Sequence, residues 1–323
     1  MTVKTPILFD TDMDTDCDDA GALSVLHALA DEGRADLLAV ICDVPIPWCA
    51  PCVRAINSYY NRPDIPVGEI LIEDYASNPR YAAYARHREN LGSHRHYNEI
   101  IARTGVFAAN NKDVSQNALE VYRRTLAAQE DGSVVICAVG VLSALEQLLK
   151  SPPDAVSPLS GLELVNRKVR LLVSMGKGEF PEGSDSFNWK MDAAAAAYVL
   201  ENWPGTVVIS PMGAEILTGA RLSLETPAHN PVRRAYEIWL QGEGKSRASW
   251  DQVALWYAVC GADGLFEERT SHRLGYDPKS GRHHWTPNTG KPVHILLSPL
   301  VSSAHFQALI EDKMTARPLL SPG

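Results

Sequence analysis

The chain reads as an α/β protein with an open, mostly parallel, Rossmann-like sheet and helices on both faces. Three observations point there. Short β-rich runs alternate with Ala- and Leu-rich stretches of helical period. The 323 residues are 45% hydrophobic, enough for one large core. Neither an internal repeat nor a long linker splits the sequence. In order, strands are expected at residues 7–9, 37–42, 134–139, 169–174 and 206–210. Helices are expected at 20–31, 52–60, 116–129, 142–150 and 193–201. This βαβ rhythm implies parallel pairing, which puts ligands at the carboxyl ends of the strands. The Pro-rich patch 151–158 lies between a helix and the next strand. Polar segments 78–98 and 225–249 read as insertions over the sheet edge, either lids or solvated helices. Residues 1–316 are expected to form one domain, with 317–323 a frayed tail.

The formal net charge of −9 argues against a nucleic-acid partner, since that binding draws on clustered Lys and Arg. A small molecule is the expected partner. The opening MTVKTPILFDTD has too short an apolar run for a secretory leader. No stretch approaches the roughly 18 apolar residues of a membrane span. Six cysteines without such a leader read as reduced thiols, so a cytoplasmic protein away from membranes is expected.

The chemistry concentrates in ILFDTDMDTDCDDAGALSVL. Asp10, Asp12, Asp14, Asp16 and Asp18 alternate after a strand, and Asp19 opens a helix. Neighbouring carboxylates raise one another's pKa or force the loop apart unless a hard divalent cation turns repulsion into ligation. Helix capping accounts for one or two of these acids, not all six. An EF-hand loop is excluded: counted from Asp10, its sixth and twelfth positions hold Thr15 and Gly21 instead of Gly and Glu.

These residues resemble the inosine-uridine-preferring nucleoside hydrolase family, whose signature is a strand, Asp-x-Asp, a short loop and Asp-Asp opening a helix. Asp10-Thr11-Asp12 and Asp18-Asp19-Ala20 match it, with the loop two residues longer, as in a bacterial and plant-like branch. Spacing alone would select Asp12 and Asp14 for the first pair; the strand anchor favours Asp10 and Asp12. The resemblance continues through LLAVICDVPIPW, AINSYYNRPDIPVG, VVICAVGVLSAL, SFNWKMDAAAAAYVL and SWDQVALWYAV.

The resemblance implies the nucleoside hydrolase fold and hydrolysis of the N-glycosidic bond of a ribonucleoside or related ribosyl compound, with calcium as cofactor. Asp12, Asp19 and Asp251 would ligate calcium with the Val139 carbonyl, and Asp12 would double as general base toward a water on the metal. Asp18 and Asn188 would hold ribose hydroxyls. Asp43 would face the pocket and Trp250 would contact the base, while Asp10 and Asp192 would support the ligands from behind. A homodimer or homotetramer is implied as well.

Departures limit the match. Ser186 stands where the family has Glu, and Val141-Leu142-Ser143-Ala144 replaces a Pro-Leu-Thr-Asn run, although Gly213-Ala214-Glu215 is retained. Several members carry a histidine at the position of Trp250. Tryptophan cannot protonate a leaving base, although it can stack on one. These departures keep open a calcium-dependent ribosyl-compound binding protein without turnover.

Two other motifs compete. Trp48-Cys49-Ala50-Pro51-Cys52 looks like a thioredoxin-like dithiol, but it follows the second strand of a far longer chain. LFDTDMD resembles the nucleophile loop of haloacid-dehalogenase-type phosphatases, but Asp14 stands where that motif wants Thr or Val. The ten histidines show no zinc spacing. His94, His96, His283 and His284 are read as polar loop residues or as contacts at a pocket rim.

Overall fold

The computed structural model describes residues 4–72, 77–104, 116–185, 187–288, 290 and 293–319. The first half runs β1 (Thr5–Thr11), α1 (Asp18–Asp31), β2 (Ala35–Cys42), α2 (Cys49–Tyr59), β3 (Val67–Glu69), α3 (Ala82–Leu91) and α4 (Tyr97–Thr104). It continues through β4 (Gln116–Asn117), α5 (Ala118–Ala127), β5 (Val134–Ala138), α6 (Ser143–Lys150), α7 (Gly161–Lys168) and β6 (Val169–Met175). The second half begins β7 (Glu182–Ser184), α8 (Asn188–Met191), α9 (Ala193–Asn202), β8 (Thr206–Ser210), β9 (Leu217–Thr218), α10 (Leu222–Glu225) and α11 (Pro231–Trp239). It ends β10 (Arg247–Ala248), α12 (Trp250–Cys260), β11 (Phe266–Arg269), β12 (His272–Asp277), β13 (Arg282–Pro287), β14 (His294–Pro299) and α13 (Ser303–Met314).

Nine strands form one sheet in the order β11-β14-β8-β6-β5-β1-β2-β3-β4. Every pair is parallel except β11 with β14. The central strands are buried on both faces, as crossover helices require. On β1, Ile7 and Phe9 join the core under α1, α2, α12 and α13, while Leu8 joins the core under α5, α6, α7 and α9. Two small antiparallel sheets lie beside this frame, β9 with β10 and β12-β13-β7.

All five expected strands and five expected helices are present, with shifted ends. Helix 116–129 contracts to α5 because Asn117 leaves the helical region and its side chain accepts the Leu119 and Glu120 N–H groups. The Pro-rich patch does not lead directly into a strand: α7 intervenes, opened by a capping box between Ser160 and Glu163.

Buried Arg123 organises that patch. Its guanidinium donates to Asp154 at 2.6 and 2.9 Å, to Ser151 Oγ at 2.9 Å, and to the carbonyls of Ser157 and Leu159 at 3.2 and 2.9 Å. Arg123→Met keeps the apolar stem but leaves those acceptors unpaired. It is expected to cost about 2–3 kcal/mol, read as a lower urea midpoint at unchanged slope.

Candidate functional site

Chain order reverses at β1. From there the sheet grows toward β2, β3 and β4, and the chain then returns to add β5 on the other side. Such a switch point opens a crevice beyond the carboxyl ends of the strands. The acidic loop leaves β1 there, and Val139 and Gly140 leave β5 beside it. Gly140 is required by close approach, because a Cβ would collide with the Asp43 carboxylate and the Asp12 backbone nitrogen. The crevice holds a cavity of about 430 Å³.

Asp18 and Asp19 occupy the first turn of α1, and Asp251 the first turn of α12. The two helices pack together at their N-terminal ends. A Cβ at Gly21 would strike the Gln252 amide and the Tyr236 hydroxyl, so only glycine permits this packing. Carboxylate oxygens of Asp18, Asp19 and Asp251 consequently lie within 4.8 Å of one another. Burial pushes all three well above the usual carboxylate range, and neighbouring acids push further, Asp16 on Asp18, Asp12 and Asp18 on Asp19, and Asp18 and Asp19 on Asp251. Thr11 Oγ1 donates to Asp19, and the Asp251 N–H reaches Asp18 at 3.4 Å. Buried hard-oxygen donors that repel one another so strongly fit a divalent metal ion.

Asp12 lines the same cavity but stands outside that closest trio. Its Oδ2 accepts from Tyr84 Oη at 3.1 Å. Burial raises its pKa to about 7 against that hydrogen bond. The sequence grouping of Asp12, Asp19 and Asp251 is therefore joined by Asp18, which was expected on the sugar alone. The Val139 carbonyl also lines the cavity and accepts from Asn188 Nδ2 at 2.5 Å. Trp250 lines it beneath the Arg247 guanidinium, 5.1 Å from the ring centroid. Gly213, at φ +139°, lets the backbone pass against Trp250.

Asp43 does not line the cavity. It is buried behind it beside Asp10, and burial, together with the Asp10 charge, raises it well above the usual range. Asp10, raised to about 6 by burial, accepts from Tyr122 Oη. Asp192 lies behind the cavity as well, accepting from Ser143 Oγ at 2.5 Å and from Arg80, and capping α9. Ser186 lies outside the described residues.

The loop acids Asp14 and Asp16 hold the insertions in place. Asp14 is buried and accepts from Arg88 at 2.8 Å on α3 and from Asn98 at 2.7 Å on α4. Asp16 takes Arg247 at 2.9 and 3.0 Å. Segments 78–98 and 225–249 thereby bring His87, Leu91, Trp239 and Arg247 to the cavity. Sequence reasoning missed these four, along with Lys177, Tyr84 and Tyr122. No local motif marks them, although the arginines and aromatics inside two polar insertions were a usable signal. His94, His96, His283 and His284 do not line the cavity. His96 instead bonds the Arg88 carbonyl at 3.0 Å.

The inosine-uridine preferring nucleoside hydrolase family model matches residues 7–266. The chain belongs to that family. Membership makes it an enzyme of the class that hydrolyses N-glycosyl compounds. The fold agrees with an inosine-uridine preferring nucleoside hydrolase from Bacillus anthracis, at 16% identity and a TM-score of 0.67, over 96% of this chain and 99% of the other. A plant nucleoside hydrolase gives 16% identity and a TM-score of 0.68, over 97% and 99%. The type III effector XopQ, crystallised with adenosine diphosphate ribose, gives 13% identity and a TM-score of 0.71, over 99% and 96%. No curated protein matches the chain.

This nucleoside hydrolase family member uses neither competing motif. Cys49 and Cys52 are fully buried, and burial pushes both thiols well above their usual value, the reverse of a reactive dithiol. Asp10, the would-be phosphatase nucleophile, is held behind the cavity by Tyr122 and Asp43. Among the described residues no helix is long and apolar enough to cross a membrane.

The acid cluster sets a sign for pH dependence. Asp12 titrates from 3.8 toward about 7, so its stabilising contribution is complete below about pH 3.8 and is lost as pH rises through about 7. In chelator, the melting temperature should therefore fall across that interval, and Asp12→Asn should flatten the fall. A chelated protein whose stability rises from pH 5 to pH 7.5 would contradict this.

Proposed function

We propose that the protein hydrolyses the N-glycosidic bond of a ribosyl compound with calcium at the acid cluster. The observation that carries this reading is the trio of buried carboxylates within 4.8 Å at the sheet's switch point. Asp12, Asp19, Asp251 and the Val139 carbonyl would hold the ion, with Asp18 beside them. Calcium suits an all-oxygen donor set of this charge, and when bound it supplies positive charge that neutralises the acids and acidifies adjacent water.

The chain's own residues then divide the work. Asp18 and Asn188 hold the ribose hydroxyls, and Asn188 is kept in place by its bond to the Val139 carbonyl. Asp12, oriented by Tyr84, takes a proton from water as the water oxygen bonds to the anomeric carbon. The bond to the base breaks, and its electron pair leaves with the base nitrogen. Asp10, Asp43 and Asp192 fix the backbone and neighbouring side chains from behind. Trp250 offers a face for stacking.

The leaving group needs a proton that Trp250 cannot give. His87 is the cavity's imidazole, held edge-on to Phe187 at a 4.9 Å centroid separation, and we assign it that donation. Burial lowers its pKa, so its charged form is populated chiefly below the ordinary histidine range. Residues 1–316 act as one domain in this reading, since strands from both ends of the chain share one sheet. Five buried free cysteines support a cytoplasmic location. A homodimer or homotetramer follows the family.

Asp19→Asn or Asp251→Asn should lower ribose release by at least about a thousandfold and remove the calcium-induced rise in melting temperature, with the far-ultraviolet spectrum unchanged. Chelator should do the same to the unaltered protein. Hydrolysis insensitive to chelator would sink the metal role, and tight ribose binding without ribose release would favour a binding protein.

His87→Ala should slow nucleoside hydrolysis about a hundredfold while sparing 4-nitrophenyl riboside, whose leaving group needs no acid. In the unaltered protein, the ratio of nucleoside to nitrophenyl rates should rise as pH falls toward 5.5. Equal losses on both substrates would remove His87 from the donor role.

A further inference from the structure

The acids of the floor leave one cation of the cavity uncommitted. Arg247 is taken up by Asp16 and lies over Trp250, and burial keeps His87 toward its neutral form. Lys177 also lines the cavity, half-buried, and among the described residues its ammonium forms no ion pair. Its backbone is fixed. The Lys177 N–H donates to Asp185 Oδ2 at 2.8 Å, and the same carboxylate takes the N–H groups of Phe187 at 2.9 Å and Trp189 at 3.1 Å. A Cβ on the preceding Gly176 would collide with the Trp189 ring. The chain after β6 is thus pinned to the segment that carries Asn188, and Asn188 reaches the floor at Val139.

Lys177 and Asn188 thus lie on one wall of the cavity, the wall that the reading above gives to the sugar. Asp185 is committed to backbone N–H groups and, among the described residues, forms no ion pair with the Lys177 ammonium. At about 430 Å³ the cavity has the ordinary size of a small-ligand site. We infer that Lys177 forms a phosphate subsite at the sugar end of the cavity, making nucleoside 5'-monophosphates the preferred substrates. This rests on the ribosyl-hydrolase reading above. The reaction would break the bond between the anomeric carbon and the base nitrogen and form a carbon–oxygen bond from water, one water proton passing to Asp12, the other staying on the new hydroxyl, and the departing base taking its proton from His87. The products are ribose 5-phosphate and free base, with the phosphoester untouched.

The test uses the full chain with calcium and compares inosine with inosine 5'-monophosphate, and uridine with uridine 5'-monophosphate. The monophosphates should show the higher kcat/KM, and Lys177→Met should lower that for monophosphates by roughly ten- to a hundredfold more than that for nucleosides. Lys177→Arg should retain most of the preference. No preference in the unaltered protein, or equal effects of Lys177→Met on both substrates, overturns the subsite. Should neither substrate be cleaved, the hydrolase reading fails separately, and calorimetry on the calcium-loaded protein still decides this one. Tighter binding of ribose 5-phosphate than of ribose, lost in Lys177→Met, supports the subsite, and equal binding overturns it.

Discussion

Carboxylates of Asp18, Asp19 and Asp251 lie within 4.8 Å of one another with water almost excluded, and each charge makes the next harder to keep. Much of the surrounding architecture bears on that repulsion. Two helix N-termini, those of α1 and α12, present their positive ends to the same three acids, and Gly21 lets the helices meet. Thr11 donates to Asp19 from the end of β1. These partial charges soften the repulsion without removing it, and the three acids remain a fit for a divalent cation.

The alternation in the acidic loop separates two tasks. Asp14 and Asp16 turn to arginines from two insertions, Arg88 on α3 and Arg247 before α12. Asp12, Asp18 and Asp19 line the cavity, and Asp16 does so as well as holding its arginine. The acids that pin the cover and the acids that face the ligand are therefore neighbours on one short loop. A shift of the loop would move the rim and the floor together, so the cover is registered on the metal site. Tyr84, carried by the same α3, ties that cover directly to Asp12.

The sheet was legible because parallel strands buried on both faces leave continuous apolar runs, and β1, β2, β5, β6 and β8 each show one. β11 and β14 close the far edge after a stretch where polar residues of β12 and β13 obscure the rhythm. The capping box at Ser160 and Glu163 was visible in the sequence and still overlooked, because the prolines before it read as a loop leading into a strand. In the site, Asp12, Asp18, Asp19 and Asn188 sit in local patterns and could be named. So could Asp251, whose neighbours resemble a known segment. His87, Lys177 and Arg247 reach the cavity only through folding of distant segments, and no spacing announces them. Asp43 was misdirected for a different reason: a strand-terminal acid usually points outward to ligand, but here it is buried beside Asp10 beneath the floor.

This division has a chemical consequence. The floor comes from short motifs at the ends of β1 and β5 and the start of α12, and it carries the acids that the proposed reading gives to metal and sugar. The rim comes from insertions and from the turn after β6. Trp250 at the start of α12, His87 on α3 and Lys177 after β6 all line the cavity, and the proposed reading gives them the base and phosphate ends of the substrate. Fold neighbours at 13–16% identity share the frame. The acids that fit a metal are consequently a feature of the sheet's switch point, and the residues around them are a feature of the cover that Asp14 and Asp16 hold in place.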